Sequence, residues 1–102
     1  MNAARILIAE DEWVVANDIE ARLHNLGYKV VGKADSGVAA IELAGSLLPD
    51  LVLMDIRLRG AMDGITAATE IRRRFKLPVT VGILKVNEDG EFKAKIIPLD
   101  CE

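Results

Sequence analysis

The sequence is poor in aromatic residues, which make up 4% of its 102 positions, and it holds a single cysteine and three prolines. The lone cysteine, Cys101, has no partner for an internal disulfide, so a reducing, cytoplasmic setting is expected. No apolar run is long enough to cross a bilayer. The opening stretch, MNAARILIAEDE, lacks the extended apolar region and cleavage site of a secretory leader. Acids outnumber bases, 16 to 13. A net charge of −3 argues against a nucleic-acid surface. The one basic run, Arg72-Arg73-Arg74, reads as a solvated helix end, where cations suit the dipole. What the chain has is aliphatic bulk. Hydrophobic residues make up 51% of a length that suits one domain, which predicts a core that needs no cross-links.

The apolar residues change period along the chain. Arg5 to Ala9 is a short, β-branched run, followed by Val15, Ile19, Leu23 and Leu26 at helical spacing, with Gly27 as a stop. Tyr28 to Val31 reads as a second strand. Ser36 can cap a second helix carrying Val38, Ile41 and Leu48, which Pro49 ends. Leu51 to Met54 is a third strand. Asp63 can cap a third helix, with Gly64 in its first turn and Ala67, Ile71 and Phe75 on one face. Pro78 and Val79 open a fourth strand. Strands that are apolar throughout and alternate with helices predict a parallel sheet covered on both faces. After residue 81 the helical rhythm stops. The tail reads as strand, turn and strand around Asn87-Glu88-Asp89-Gly90, with a three- or four-residue loop. The four-residue loop would put Val81, Ile83, Phe92, Ala94 and Ile96 on one face. The expected organisation is a βα core over 1–80 and an atypical strand or hairpin segment of the same domain over 81–102.

Two of these strands end in acids. The first delivers Glu10 and Asp11, and the third delivers Asp55. An open parallel sheet binds ligands beyond the carboxyl ends of its strands, where the strand order reverses. If the first and third strands are neighbours, three carboxylates share one small site, and at least one pKa rises unless a cation is present. Mg²⁺ suits such a site, because it takes oxygen ligands and needs only one or two carboxylates. The plainer reading is that an acid after a strand caps the next helix, as Asp11 could and Asp63 should. Asp55 resists that reading, since the next helix starts several residues later.

ILIAEDE with its acidic pair, DLVLMDIRL with its terminal Asp, MDGI before the third helix and Pro78 before the fourth strand together resemble the receiver domain of two-component response regulators. The resemblance covers residues 4 to about 80. It implies a flavodoxin-like α/β fold, here as an incomplete (βα)3β core plus the tail. It also implies that Asp55 is the phosphoacceptor and that Glu10, Asp11, Asp55 and the backbone carbonyl of Arg57 hold Mg²⁺, with Mn²⁺ as a substitute. The partner implied is a sensor histidine kinase or phosphotransfer protein.

Two features of that family have no counterpart. Its fourth strand ends in Thr or Ser, where alignment from Pro78 places Ile83, and Thr80 comes too early. Its fifth strand ends in Lys, usually before Pro. Lys85, Lys93 and Lys95 are present, but no Lys-Pro occurs. A second reading is therefore a receiver-like interaction module that takes no phosphate. A metal-dependent phosphatase of similar topology would need a second Asp where Arg57 stands. With no later helices to cover the sheet, the stripe of Val15, Ile19, Leu23 and Leu26 is expected to be partly exposed, which points to a homodimer. The segment Val81 to Leu99 would add a strand within the chain or across to the partner. Trp13 is expected half-exposed beside the acids, His24 on the surface, and Met54 and Met62 in packing roles.

Overall fold

The computed structural model describes residues 3–58, 60–86 and 91–97, with the side chains of 83–86 and 92–97 left aside. Its elements are β1 (Arg5–Ala9), α1 (Trp13–Asn25), β2 (Lys29–Ala34), α2 (Gly37–Leu47), β3 (Leu51–Asp55), α3 (Gly64–Phe75), β4 (Val79–Val86) and β5 (Phe92–Ile97). They form one sheet in the order β2-β1-β3-β4-β5. The first four strands are parallel, and β5 pairs antiparallel with β4.

Strand alternation divides the core into two layers. Ile6 and Ile8 of β1 pack with Val15 and Ile19 of α1. Leu7 and Ala9 face the other way, onto Ala40, Ile41 and Ala44 of α2 and Ala67, Ala68 and Ile71 of α3. In β3 the split repeats: Val52 and Met54 join the α2–α3 layer, whereas Leu51 and Leu53 lie partly buried beside α1. One helix covers one face and two cover the other, so the α1 face is the thinner.

Caps set the helix starts. Ser36 Oγ accepts from the Ala39 N–H at 3.1 Å, and Asp63 Oδ1 accepts from the Thr66 N–H at 2.8 Å. Glu12, not Asp11, is the N-cap of α1, and its side chain makes no capping bond. Gly27 follows α1 with φ +93°. α2 ends at Leu48, which adopts φ 45° directly before Pro49. The basic run at the end of α3 folds back on its own helix, with Arg73 and Arg74 each pairing with Glu70 at 2.9 and 2.8 Å.

Several expectations change. β2 starts one residue late, at Lys29, and runs three residues further, to Ala34, because Gly32, Lys33 and Ala34 pair with Leu7, Ile8 and Ala9 after a bulge. Val38 and Leu48 are exposed, at 57% each, so they are not core residues. The α1 stripe divides: Val15 and Ile19 are buried against β1, Leu23 is half-buried and Leu26 is 72% exposed. Ile6 and Ile8 cover only the first half of the helix, so the stripe is partly buried and partly exposed, as expected. The tail folds back within the chain. β5 covers the outer edge of β4, which makes β5 the new edge. Its register pairs Val86 with Phe92. The connection is therefore residues 87–91, longer than either loop expected, and the face grouping built on four residues does not hold. The Asn87–Gly90 turn itself and Cys101 lie outside the described residues.

Candidate functional site

Glu10 leaves β1 at the point where the strand order reverses, with β2 on one side and β3 on the other. Its backbone N–H donates to the Ala34 carbonyl at 2.9 Å, which extends the pairing one residue past the strand. That pairing holds its side chain in the crevice. The carboxylate is 4% exposed. Oε2 accepts from the Glu12 N–H at 2.7 Å, while Oε1 is buried with no hydrogen-bond partner. An unpaired buried oxygen on an acid is costly.

Asp55 closes β3, level with Gly82 of β4, and is 5% exposed. Its Oδ1 accepts from the Arg57 N–H at 3.1 Å. The Ile56 N–H donates to the Gly82 carbonyl at 2.9 Å, and the Ile56 carbonyl accepts from the Gly64 N–H at 3.1 Å. The chain is thus pinned on both sides of the turn that carries the acid. Glu10, Asp11 and Asp55 each bring one carboxylate oxygen within 4.8 Å of the others. Asp11 is half-buried. The electrostatic consequence falls on Glu10. Burial and the neighbouring Asp55 carboxylate push its pKa up to about 9, against the pull of the Glu12 N–H.

The three acids expected from sequence therefore converge. Asp63 does not join them and serves α3 as its cap. His24 is exposed at the far end of α1 and Trp13 is 68% exposed, more open than expected. Met54 is buried in the core, and Met62 packs on Gly37. Arg57 contributes its N–H to Asp55, and its carbonyl follows in the same turn. Ile83 follows Gly82 in β4, and its side chain and those of Lys85, Lys93 and Lys95 are outside those described.

Two residues matter more than sequence reasoning indicated. A Cβ on Gly64 would collide with the Asp55 carbonyl oxygen and lie 2.8 Å from Ile56 Cα, so only glycine lets α3 start this close to the acid. The Asp-Gly in MDGI was the available signal. Lys33 is the other. It lines a cleft of about 290 Å³ together with Glu10, Asp11, Trp13 and Asp35. No local pattern marks it, because its partners are on α1. A wider groove of about 710 Å³ beside His24 and Tyr28, between α1 and β2, has Glu20 as its one acidic lining residue, whereas the smaller cleft opens beside Glu10 and Asp11, with Asp55 outside its lining.

A hard divalent cation fits this donor set. Three carboxylates crowd together, and the orphaned Glu10 Oε1 is an acceptor that awaits a donor or a metal. The pattern of the response regulator receiver domain matches residues 6–99, and the chain belongs to that family. It is a signalling module of two-component systems with the flavodoxin-like receiver fold. Over 77 residues it is 44% identical to the transcriptional regulatory protein PdtaR of Mycobacterium tuberculosis, covering 76% of this chain and 37% of that protein. The phyllosphere-induced regulator PhyR of Methylorubrum extorquens is 38% identical over 78 residues, 76% of this chain and 29% of that one. The chain thus spans about a third of the length of these relatives. Among solved structures, PhyR of Bartonella quintana, an anti-anti-sigma factor in complex with the anti-sigma factor NepR, superimposes with a TM-score of 0.80 at 31% identity, over 96% of this chain and 42% of that one. The signal receiver domain of a modulated diguanylate cyclase from Desulfovibrio desulfuricans, described as an example of alternate folding, gives 0.76 at 32% identity, over 87% and 71%. No helix among the described residues is long and apolar enough to cross a membrane.

Proposed function

We propose that this receiver accepts a phosphoryl group on Asp55, in a site where Glu10, Asp11, Asp55 and the Arg57 carbonyl hold Mg²⁺ or Mn²⁺. The observation that carries this reading is the meeting of three carboxylates, two of them buried, at the point where the strand order reverses. The bound metal would neutralise charge on the transferring group and orient it. An Asp55 oxygen attacks the phosphorus of a phosphorylated imidazole on a kinase or phosphotransfer protein. The new P–O bond forms as the P–N bond breaks, and the imidazole leaves with the electron pair. The Arg57 N–H holds Asp55 Oδ1, which leaves the other oxygen to attack. Burial keeps water from the acceptor.

Ile83 offers no hydroxyl where the family has Thr or Ser, so acceptance should be slow. Intact-mass analysis after acetyl phosphate and Mg²⁺ tests the assignment. Wild type gains one phosphoryl mass and Asp55→Asn gains none. An adduct that persists in Asp55→Asn refutes Asp55 as acceptor. The output is a protein–protein contact, a reading supported by the PhyR–NepR complex among the similar structures. Among the described residues β5 leaves an open sheet edge and α1 alone covers its face, so we also propose a homodimer through that side. Light scattering across a dilution series tests it: a monodisperse monomer at high concentration rules the dimer out.

A further inference from the structure

A phosphoryl group on Asp55 would add negative charge to a site that already holds three carboxylates. One divalent cation leaves such a site in need of a further positive group. The family resemblance expects a lysine at the end of a fifth parallel strand, and this chain has an antiparallel β5 instead. The cleft beside the acids does contain a cation, and it comes from the opposite side of the sheet.

Lys33 lies on β2, which flanks β1, which flanks β3. Its backbone is thus two strands from that of β3, on the order of 10 Å across the sheet, and level with Leu53, two residues short of Asp55. It pairs with Ile8, so Ile8, Lys33 and Glu10 share the α1 face of the sheet by alternation. The contacts agree: Lys33 Nζ donates to Asn17 Oδ1 at 3.0 Å and to Glu20 Oε1 at 2.6 Å, both on α1. The same ammonium lies 4.7 Å from the centroid of the Trp13 ring. Lys33 is the one cationic side chain lining the cleft with Glu10 and Asp11 among the described residues. Its tether is soft. The Lys33–Glu20 pair is 25% and 41% exposed at its two side chains, and pairs so open to water contribute little. A charge-assisted bond from an ammonium to a phosphoryl oxygen on the buried Asp55 is stronger. A lysine is also long and flexible enough to exchange one partner for the other.

We propose that Lys33 is the phosphoryl-binding cation of this receiver: on phosphorylation its ammonium leaves Glu20 and the Trp13 face and donates to an oxygen of the Asp55 phosphoryl group. The inference rests on Asp55 being the acceptor. It gives Trp13, the only tryptophan in the chain, the role of reporter, because losing a cation from its ring face changes its emission.

The test uses the full chain with Mg²⁺ and beryllium fluoride, which stands in for the acyl phosphate, followed by Trp13 fluorescence and calorimetry. Wild type binds the mimic with a change in emission. Lys33→Met binds it at least about tenfold more weakly, Lys33→Arg recovers part of the loss, and Mg²⁺ alone binds Lys33→Met no more weakly than wild type, since a repelling cation has gone. Glu20→Gln separates this role from a structural one. It removes the same ion pair but frees the ammonium, so it binds the mimic as tightly as wild type or more tightly. Weaker binding in Glu20→Gln to the same degree as in Lys33→Met overturns the proposal, as does equal binding by Lys33→Met and wild type. Wild type that binds Mg²⁺ but no beryllium fluoride overturns the acceptor reading, and Lys33 with it.

Discussion

Glu10→Gln should stabilise the metal-free protein, and by more as the pH rises. Glu10 is 4% exposed, and its pKa is raised from the ordinary 4.5 to about 9, first by burial and then by Asp55. The folded protein therefore holds a proton that the unfolded chain releases between those values. Its contribution to stability is fully present below pH 4.5 and is lost as pH rises toward 9. At pH 7 the gap of about 2.5 pH units, at about 1.36 kcal/mol each, sets an upper figure of about 3 kcal/mol. Glutamine carries no such penalty. Its carbonyl can still accept from the Glu12 N–H, and its amide can donate to Asp55 where Oε1 is now orphaned. In a domain of this size about 3 kcal/mol moves the melting temperature by roughly 10 °C or more. The assay is a set of thermal melts from pH 5 to pH 9 in chelator, repeated in excess Mg²⁺. In chelator the variant melts higher, with the gap small at pH 5 and wide at pH 8. In Mg²⁺ the order narrows or reverses, because the metal stabilises wild type through a ligand that the variant lacks. A variant that melts with wild type at pH 8 in chelator, or whose gain is the same at pH 5 and pH 8, refutes the account of Glu10.

Other outcomes follow from the same geometry. Mg²⁺ must displace the Glu10 proton, so its apparent affinity should rise close to tenfold per pH unit between pH 6 and 8; calorimetry in buffers of different ionisation enthalpy reads the released proton, and a flat profile counts against Glu10 as a ligand. Gly64→Ala drives a methyl into the Asp55 carbonyl and Ile56, which should cost about 1–3 kcal/mol in a urea titration and weaken Mg²⁺ binding as well. Unchanged stability would mean that α3 can start further from the acid. Ser36→Ala removes the cap on Ala39 and should cost about 1 kcal/mol with Mg²⁺ binding intact, so a fall in metal affinity would argue against that separation.

Local pattern was enough to place the parallel core. Ile6, Leu7 and Ile8 are apolar on both faces of β1, and that alone demands covered faces. Ser36 and Asp63 carry their capping oxygens wherever the chain goes, so the starts of α2 and α3 were readable too. Asp55 stands out because the next helix starts several residues later, too far for it to serve as the cap. The remaining features depend on neighbours that are distant in sequence. β2 runs through Gly32 and Lys33, weak strand formers, because the hydrogen bonds of β1 hold them. The β4–β5 register belongs to two strands at once, and alternation within one of them cannot choose between loops. The stripe on α1 looked uniform, yet Ile19 is buried and Leu26 is not, because Ile6 and Ile8 reach only the middle of the helix. The site divides in the same way. Residue types named Glu10, Asp11 and Asp55, because carboxylate chemistry is a property of the side chain. Strand order decided that they meet, that the Glu10 pKa is raised, that Gly64 can bear no side chain and that Lys33 lines a cleft with Glu10 and Asp11, because desolvation, repulsion and steric contact exist only between groups that folding has brought together.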